Sequence, residues 1–168
     1  MTSWRAPVPD PVGPGQESVW DYPRPPRLER STRRVRVELD GTVVADSVRA
    51  VRVLETSHPP TYYVHPDDVV WEFVVPAAAR GTWCEWKGQA SYWTVQVGSV
   101  RVEAGAWSYP QPTPSFSDLA DHVAFYPAQF RCSVDDELVT PQPGGFYGGW
   151  VTSDLAGPFK GDPGTLGW

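Results

Sequence analysis

Cysteine is scarce in this sequence, and its placement fits no metal site. Cys84 and Cys132 are the two cysteines; they lie 48 residues apart, and no Cys-x-x-Cys pair is present. Such isolated thiols provide neither a disulfide framework nor the four Cys or His ligands that a structural zinc requires. We therefore predict no metal and no cofactor.

Long hydrophobic runs are also missing. Nowhere do about 18 apolar residues follow one another, and the first 16 residues, MTSWRAPVPDPVGPGQ, lack the apolar core of a secretory signal. We expect a soluble cytoplasmic protein with no membrane partner, whose cysteines are kept as thiols by the reducing environment.

Basic charge is not in excess. The chain has 14 Lys and Arg against 20 Asp and Glu, a net charge of -6, and its one basic cluster is the short stretch from Arg30 to Arg36. Contacts to a nucleic-acid duplex need clustered cations that neutralise phosphates. We therefore predict no nucleic-acid partner.

Aliphatic residues are few, whereas aromatic residues and proline are abundant. The chain has 1 Met and little Leu or Ile, but 9 Trp, 7 Tyr, 6 Phe and 19 Pro. Because one aromatic ring covers a large area, rings must supply much of the core burial. A length of 168 residues fits one domain that can form a core without disulfides.

The two ends of the chain differ in composition from its middle. Residues 1–16 are rich in proline and glycine and predict a flexible arm. Residues 17–140 carry the strand patterns of a β domain. Residues 141–168 form a tail rich in glycine and proline, and we expect its apolar anchors, Trp150 among them, to pack back on the domain.

The strand signals are strongest around Asp40-Gly41, a dipeptide that accepts the positive φ angles of a tight hairpin turn. Val35, Val37 and Leu39 alternate with polar residues, as in an antiparallel strand with one buried face. Further strands are expected at 48–55, on either side of 65–68, around turns at 87–88 and 98–99, and within 129–139.

One short helix is predicted, over residues 115–126. Ser115 is placed to cap it, Asp118 lies three residues further on, and Phe116, Leu119 and Val123 follow helical spacing. The patterns together predict a mainly β fold: a single compact antiparallel β domain with one short helix and Pro/Gly-rich terminal extensions.

Several stretches, read in order, carry a family resemblance: ESVWDYPRPPRLE, VLETSHPPTYY, TWCEWKGQASYW, AWSYPQP and VAFYP. In order and spacing they resemble the bacterial and fungal family known as domain of unknown function 427 (DUF427), which is sometimes labelled a nucleotidyltransferase domain. The resemblance covers roughly residues 17–137.

This resemblance implies a compact antiparallel β structure of the Mss4-like or β-tent type, a topology shared with methionine sulfoxide reductase B and zinc-binding modules. It implies no established reaction. The sequence lacks the paired Cys-x-x-Cys knuckles of the zinc-bearing relatives, so aromatic packing must replace the metal. It also lacks the Gly-Ser and paired acidic residues with which nucleotidyltransferases hold magnesium.

The stretch LETSHPPTYYV places candidate catalytic groups at a predicted strand exit. Glu55 could orient the imidazole of His58 and leave its other nitrogen to act as a general base or as a donor to an anion. Alternatively, Glu55 to His58 only satisfy backbone groups at a corner. The sequence alone leaves both interpretations open.

Cys84 is the second candidate catalytic residue. A nearby cation such as Lys87 would lower the pKa of its thiol and favour the nucleophilic thiolate. In a regular strand, however, Cys84 and Lys87 point to opposite faces, so they meet only if the strand ends or bulges between them. The alternative is a buried, unreactive thiol.

Other residues are candidates for ligand binding. Arg24 and Lys87 are suited to hold a carboxylate or a phosphate. Aromatic walls with a few convergent polar groups are typical of small-molecule pockets, although they are also typical of aromatic cores. The candidate wall residues are Tyr62, Tyr63, Tyr92, Trp107 and Tyr109.

Three hypotheses about function follow. The first is a small-molecule-binding or enzymatic β domain that combines the Glu55 to His58 corner with Cys84, Lys87 and the aromatic walls. The second is a non-catalytic module that accepts a peptide or a modified side chain in an aromatic cleft. The third is a purely structural cluster of polar residues.

Overall fold

Two antiparallel sheets make up most of the fold. The computed structural model describes residues 7–78 and 81–168. Its strands, in chain order, are β1 Glu17–Ser18, β2 Arg27–Arg30, β3 Val35–Leu39, β4 Thr42–Ser47, β5 Val51–Leu54, β6 Thr61–Val64, β7 Val74–Pro76, β8 Trp83–Cys84, β9 Gly88–Gln89, β10 Ser91–Val97, β11 Val100–Ser108, β12 Val123–Phe125, β13 Arg131–Val134, β14 Glu137–Leu138, β15 Thr140–Pro141, β16 Trp150–Val151 and β17 Leu155–Ala156. Its short 3-10 helices are η1 Val19–Asp21, η2 Pro66–Asp68, η3 Trp71–Phe73 and η4 Pro114–Leu119.

The larger sheet has seven strands in the order β2-β5-β6-β12-β11-β10-β7, and every neighbouring pair is antiparallel. The smaller sheet has four strands in the order β14-β13-β3-β4, also antiparallel. Three two-stranded pairs, β8-β9, β15-β16 and the parallel β1-β17, complete the described structure. The predicted mainly β, antiparallel domain is confirmed.

Two hairpins show how local sequence sets the smaller sheet. Asp40 and Gly41 both have positive φ angles, 49° and 75°, which is the geometry of the predicted tight turn between β3 and β4. Asp135 and Asp136 adopt the same region, at 46° and 66°. They divide the single strand expected at 129–139 into β13 and β14, because aspartate tolerates a left-handed backbone.

The main core lies between the two sheets. Alternate residues of β3, Val35 and Val37 among them, are fully buried there, as their alternation predicts. They pack with residues of the larger sheet such as Val64 and Phe125, and with Trp150 from the C-terminal segment. Apolar burial on both sheets is therefore what holds the two layers together.

The helix predicted over 115–126 is present in a shorter form. The structure has the 3-10 helix η4 at Pro114–Leu119, preceded by Thr113 as N-cap residue, and the predicted cap Ser115 lies inside it. Asp121 has a positive φ of 61°, and Val123 begins β12 instead of a third helical turn. β12 fills the position between β6 and β11, so sheet pairing overrides the local helical spacing.

Both ends of the described chain contact the domain. Asp10 N donates to Gly157 O at 2.8 Å, and β1 pairs with β17. Residues 1–6 of the predicted arm lie outside the described residues. Trp150 is fully buried, and its Nε1 donates to Phe125 O at 3.3 Å. No helix in the described part of the chain is long and apolar enough to cross a membrane.

Candidate functional site

A cleft of about 730 Å³ lies on the face of the larger sheet that points away from the main core. Its floor is set by strand register: Tyr63 on β6, Ala124 on β12, Trp107 on β11 and Tyr92 on β10 are successive partners across four strands. Residues aligned in this way point to the same face of the sheet. Tyr63, Trp107 and Tyr92 line the cleft, whereas Ala124 is fully buried in the aromatic cluster of this face.

The floor residues are joined by hydrogen bonds. Trp107 Nε1 donates to Tyr63 Oη at 3.2 Å, and Tyr92 Oη lies 2.9 Å from Thr82 Oγ1. Burial raises the pKa of the Tyr63, Tyr109 and Tyr126 hydroxyls above their ordinary range. These hydroxyls therefore stay neutral near pH 7, and each can donate as well as accept a hydrogen bond.

The corner predicted from the sequence forms one edge of the cleft. Ser57 is fully buried with a φ of 73°; its backbone N donates to Val19 O at 3.0 Å, and its carbonyl accepts from Lys160 N at 2.9 Å. Thr56 Oγ1 donates to Tyr22 O. The Thr56 side chain thus satisfies a backbone carbonyl, as the corner interpretation expects. Ser57 is held by its backbone groups, and its buried Oγ has no hydrogen-bond partner among the described residues.

Glu55 and His58 point from this corner into the cleft. His58 Nε2 lies 3.2 Å from Glu55 Oε2, which is one of the two arrangements that the sequence leaves open. Burial raises the pKa of Glu55, but the contact with His58 and the positive charges of Arg24 and Lys87 outweigh it, so the pKa lies below its ordinary value. Glu55 is therefore ionised at neutral pH.

The second nitrogen of His58 is held by Gln142. Gln142 Nε2 lies 3.1 Å from His58 Nδ1 and also donates to Lys160 O at 2.8 Å. Gln142 Oε1 accepts from Gly149 N at 3.1 Å, which fixes the orientation of the amide and assigns Nε2 as the donor. His58 Nδ1 is thus the acceptor, and its ring proton lies on Nε2, beside Glu55.

This arrangement bears on the predicted catalytic role of His58. Both ring nitrogens are engaged, one by Glu55 and the other by Gln142. A general base needs a free nitrogen within reach of the substrate proton. The general-base role stays a prediction, and it requires Gln142 to move away from Nδ1.

Two lysines also line the cleft. Of the 14 basic residues of the chain, Lys87 and Lys160 are the only lysines, and both belong to the cleft wall. Lys87 Nζ lies 5.8 Å from the centre of the Tyr109 ring, and Lys160 Nζ lies 5.7 Å from the centre of the Tyr147 ring. Each ammonium is thus held against an aromatic face.

Cys84 lies in the wall near Lys87. Strand β8 ends at Cys84, and the turn before β9 begins directly after it. The alternation of side chains along a strand therefore does not apply between Cys84 and Lys87. Both line the cleft, and Cys84 is half-buried. Cys132, in contrast, is buried in the main core, and burial raises the pKa of its thiol.

The predicted site residues are therefore brought together with two exceptions. Glu55, His58, Cys84 and Lys87 line the cleft with the wall residues Tyr63, Tyr92, Trp107 and Tyr109. Tyr62 lies on the opposite face of β6, 1% exposed, with its ring 5.0 Å from that of Trp150. Arg24 NH2 contacts Glu55 Oε2 at 3.3 Å, and it supports the carboxylate without lining the cleft.

Sequence reasoning missed the wall contributed by the C-terminal segment. Gln142, Tyr147 and Lys160 line the cleft, and Gly148 packs so closely on Trp107 that an added Cβ would lie 2.3 Å from its ring. This segment was expected only to cover the domain. The scarcity of lysine was the available signal, because it singles out Lys87 and Lys160 among the cations.

The described residues, 7–78 and 81–168, contain no group of three or more His, Cys, Asp or Glu side chains that could hold a metal ion. The cleft itself presents several kinds of chemically active side chain. These are two ammonium groups, one ionised carboxylate, one half-buried thiol and several neutral hydroxyls on aromatic rings.

Comparison with known proteins gives a family and no reaction. The profile of a family described as "Domain of unknown function (DUF427)" matches residues 27–140. A search of curated proteins found no match. The matched range includes Glu55, His58, Cys84 and Lys87, whereas Gln142 and Lys160 lie beyond it.

Proposed function

The chain belongs to the DUF427 family, and from that premise we propose that its cleft binds a small organic anion. The carrying observation is that the only two lysines of the chain line the same cleft. In a protein with a net charge of -6, a wall with two ammonium groups is a local reversal of charge. Such a wall favours a carboxylate or a phosphate ester.

The remaining charge of the cleft supports the same ligand class. Among the described residues, Glu55 is the only acidic side chain in the wall, and its charge is already offset by His58 and Arg24. An incoming anion therefore meets no second acidic side chain among the described wall residues, and at Lys160 it would replace the long contact of Nζ with Trp168 O at 3.4 Å. The volume of about 730 Å³ is that of a small-molecule site.

The aromatic floor suggests the shape of the rest of the ligand. Tyr63, Trp107 and Tyr92 line the cleft from adjacent strands, and a planar or apolar group can pack against such rings. We therefore take aryl acids as the first probes of the cleft. Phenylacetate and phenyl phosphate combine a ring with an anionic group.

The direct test is calorimetric titration of the protein with phenylacetate, phenyl phosphate and the cationic control benzylamine. We expect one or both anions to bind and benzylamine not to bind. Lys87→Ala and Lys160→Ala should each weaken anion binding about tenfold, because a hydrogen bond to a charged group contributes about 1.5 kcal/mol or more.

Arg101→Ala is the matched control. It removes one positive charge at an exposed position outside the cleft, so it changes the net charge equally and should leave the dissociation constants unchanged. Equal weakening by all three variants would show a general charge effect and would contradict the proposal. Absence of binding by both anions would also contradict it.

A second candidate function is the recognition of a peptide or protein. Trp83 and Phe146 stand on the rim of the cleft with 72% and 78% of their surface exposed, and exposed aromatic residues are frequent anchors in interfaces. The double variant Trp83→Ser/Phe146→Ser separates the two functions. Unchanged binding of the aryl anions favours the small-molecule cleft, whereas its loss favours an extended interface.

Catalysis by His58, Glu55 and Cys84 stays a prediction, as do the cytoplasmic location and the β-tent topology. Cys84 is the residue to test first, because this half-buried residue lines the same cleft as Lys87. The assay is turnover of a bound ester or thioester. A nucleophilic thiol at Cys84 predicts that Cys84→Ser abolishes this turnover. Unchanged turnover would remove Cys84 from the catalytic residues.

A further inference from the structure

The two oxygens of the Glu55 carboxylate differ in their contacts. His58 and Arg24 both contact Oε2, at 3.2 and 3.3 Å. Within the part of the chain that the structure describes, no donor is hydrogen-bonded to Oε1. Glu55 lines the cleft with 24% of its side chain exposed. An ionised carboxylate has several acceptor positions, and those on Oε1 remain available.

The orientation of this carboxylate is fixed through a chain of contacts. Gly149 N and Lys160 O hold the Gln142 amide, Gln142 Nε2 donates to His58 Nδ1, and His58 presents Nε2 to Glu55. Gln142 is only 3% exposed. A side chain that uses both ends of its amide in this way has few alternative orientations, so His58 and Glu55 are held in place as well.

We propose that Oε1 of Glu55 accepts a hydrogen bond from an O–H or N–H group of the ligand, while Lys87 and Lys160 hold the acidic group of the same molecule. The ligand class is then narrower than an organic anion: it is an acid that also carries a neutral donor, such as a hydroxyl or an amide N–H. His58 and Gln142 are positioning residues in this arrangement. The inference rests on the proposed function, since it assigns the second anchor of the same ligand.

The chemistry of the cleft favours this pairing over a second anion or a cation. A second anionic group on the ligand would face the charge of Glu55, which is unfavourable. A compact cation would be repelled by the ammonium groups of Lys87 and Lys160 and by the Arg24 guanidinium, which already contacts Glu55 Oε2 at 3.3 Å. A neutral donor gains a charge-assisted hydrogen bond, roughly twice as strong as one between neutral groups.

The test uses phenylacetate with its 2-, 3- and 4-hydroxy derivatives and the corresponding methoxy derivatives, because the ring position that reaches Glu55 is an outcome of the experiment. We expect at least one hydroxy acid to bind about tenfold more tightly than both phenylacetate and its own methoxy analogue. In Glu55→Gln this preference should fall to less than about threefold. In Arg101→Ala it should persist.

The outcomes separate this inference from the proposed function. If the acids bind in a manner that depends on Lys87 and Lys160 but no hydroxy acid is preferred, or the preference persists in Glu55→Gln, the inference is wrong and the proposed function stands. If none of the acids binds, the proposed function is wrong and this inference falls with it.

The positioning role of Gln142 has its own measurement. Nitrogen NMR of the histidine side chains distinguishes protonated from unprotonated ring nitrogens, and we expect His58 in the wild-type protein to carry its proton on Nε2. Gln142→Ala should give a mixture of tautomers and reduce the preference for the hydroxy acid, while binding of unsubstituted phenylacetate stays within about threefold. An unchanged tautomer in Gln142→Ala would exclude the positioning role.

Discussion

The two faces of the seven-stranded sheet differ in chemistry, and the neighbouring residues Tyr62 and Tyr63 on β6 show the difference. Tyr62 packs beside Trp150 between the two sheets, among aliphatic residues. Tyr63 points to the other face, accepts a hydrogen bond from Trp107 and lines the cleft. One face, the closed face, packs on the four-stranded sheet. The other, the open face, is covered by η4, by the β8-β9 hairpin and by part of the C-terminal segment, and it carries the cleft.

The two cysteines repeat this comparison. Cys132 on β13 is buried against the closed face, and Cys84 on β8 is half-buried at the open one. The same residue type thus serves as a small apolar group on one side and lies within reach of small molecules on the other. Both faces carry a buried apolar cluster, and the open face carries the cleft as well.

The largest expected difference between the faces is in thiol reactivity. Alkylation of Cys132 requires unfolding, which costs about 5 kcal/mol or more in a stable domain, so Cys132 should react over a thousandfold more slowly than the same thiol in the unfolded chain. Cys84 should react without unfolding. Mass spectrometry of the folded protein after iodoacetamide treatment gives both rates. Resistance of Cys84 equal to that of Cys132 would remove the predicted nucleophile.

Removal of an aromatic ring from the closed face should lower the stability of the domain, although this effect is smaller than the expected difference in thiol reactivity. Trp150→Ala should lower the free energy of unfolding by about 3–5 kcal/mol, because it leaves a cavity between the sheets. Phe146→Ala, four residues away and 78% exposed, should change it by about 0.5 kcal/mol or less. Urea denaturation measures the free energy of unfolding of both variants. Similar losses for Trp150→Ala and Phe146→Ala would contradict the distinction between the buried ring and the exposed ring.

A pH-dependent effect is expected at the edge of the open face. The pKa of Glu55 is lowered in the folded protein, so its ionised form contributes stability above its ordinary pKa of 4.5, and this contribution is lost as the pH falls through the lowered value. Glu55→Gln should therefore be less stable than the wild type at about pH 7, and the difference should shrink towards about pH 3. A difference independent of pH would exclude the ion pairing as its cause.

The sequence predicts features that depend on neighbouring residues. The Asp40-Gly41 turn and the alternation of Val35 and Val37 need only local geometry, and the structure contains both. The contact between Glu55 and His58, which is one of the two arrangements that the sequence leaves open, lies within one turn of chain. Each of these follows from residue types a few positions apart, so a single sequence is enough to find them.

Features that depend on distant residues were not predictable in this way. Val123 follows helical spacing but joins β12, because the gap between β6 and β11 must be filled. Gln142 reaches His58 from 84 residues away, and no local pattern in a segment rich in glycine and proline marks it. Tyr62 and Tyr63 point to opposite faces of β6. Which of these faces carries the cleft is likewise set by packing between distant segments.

The central claim is that Lys87 and Lys160 hold one anion together, and the chain permits a direct measurement of it. Reductive methylation with ¹³C-formaldehyde labels both lysines and preserves their charge, and Lys160→Arg assigns the two side-chain signals. On titration with phenyl phosphate, we predict that both signals shift along one saturable curve with one dissociation constant. Signals that stay fixed, or that shift with different constants, would contradict a shared anion site in the cleft.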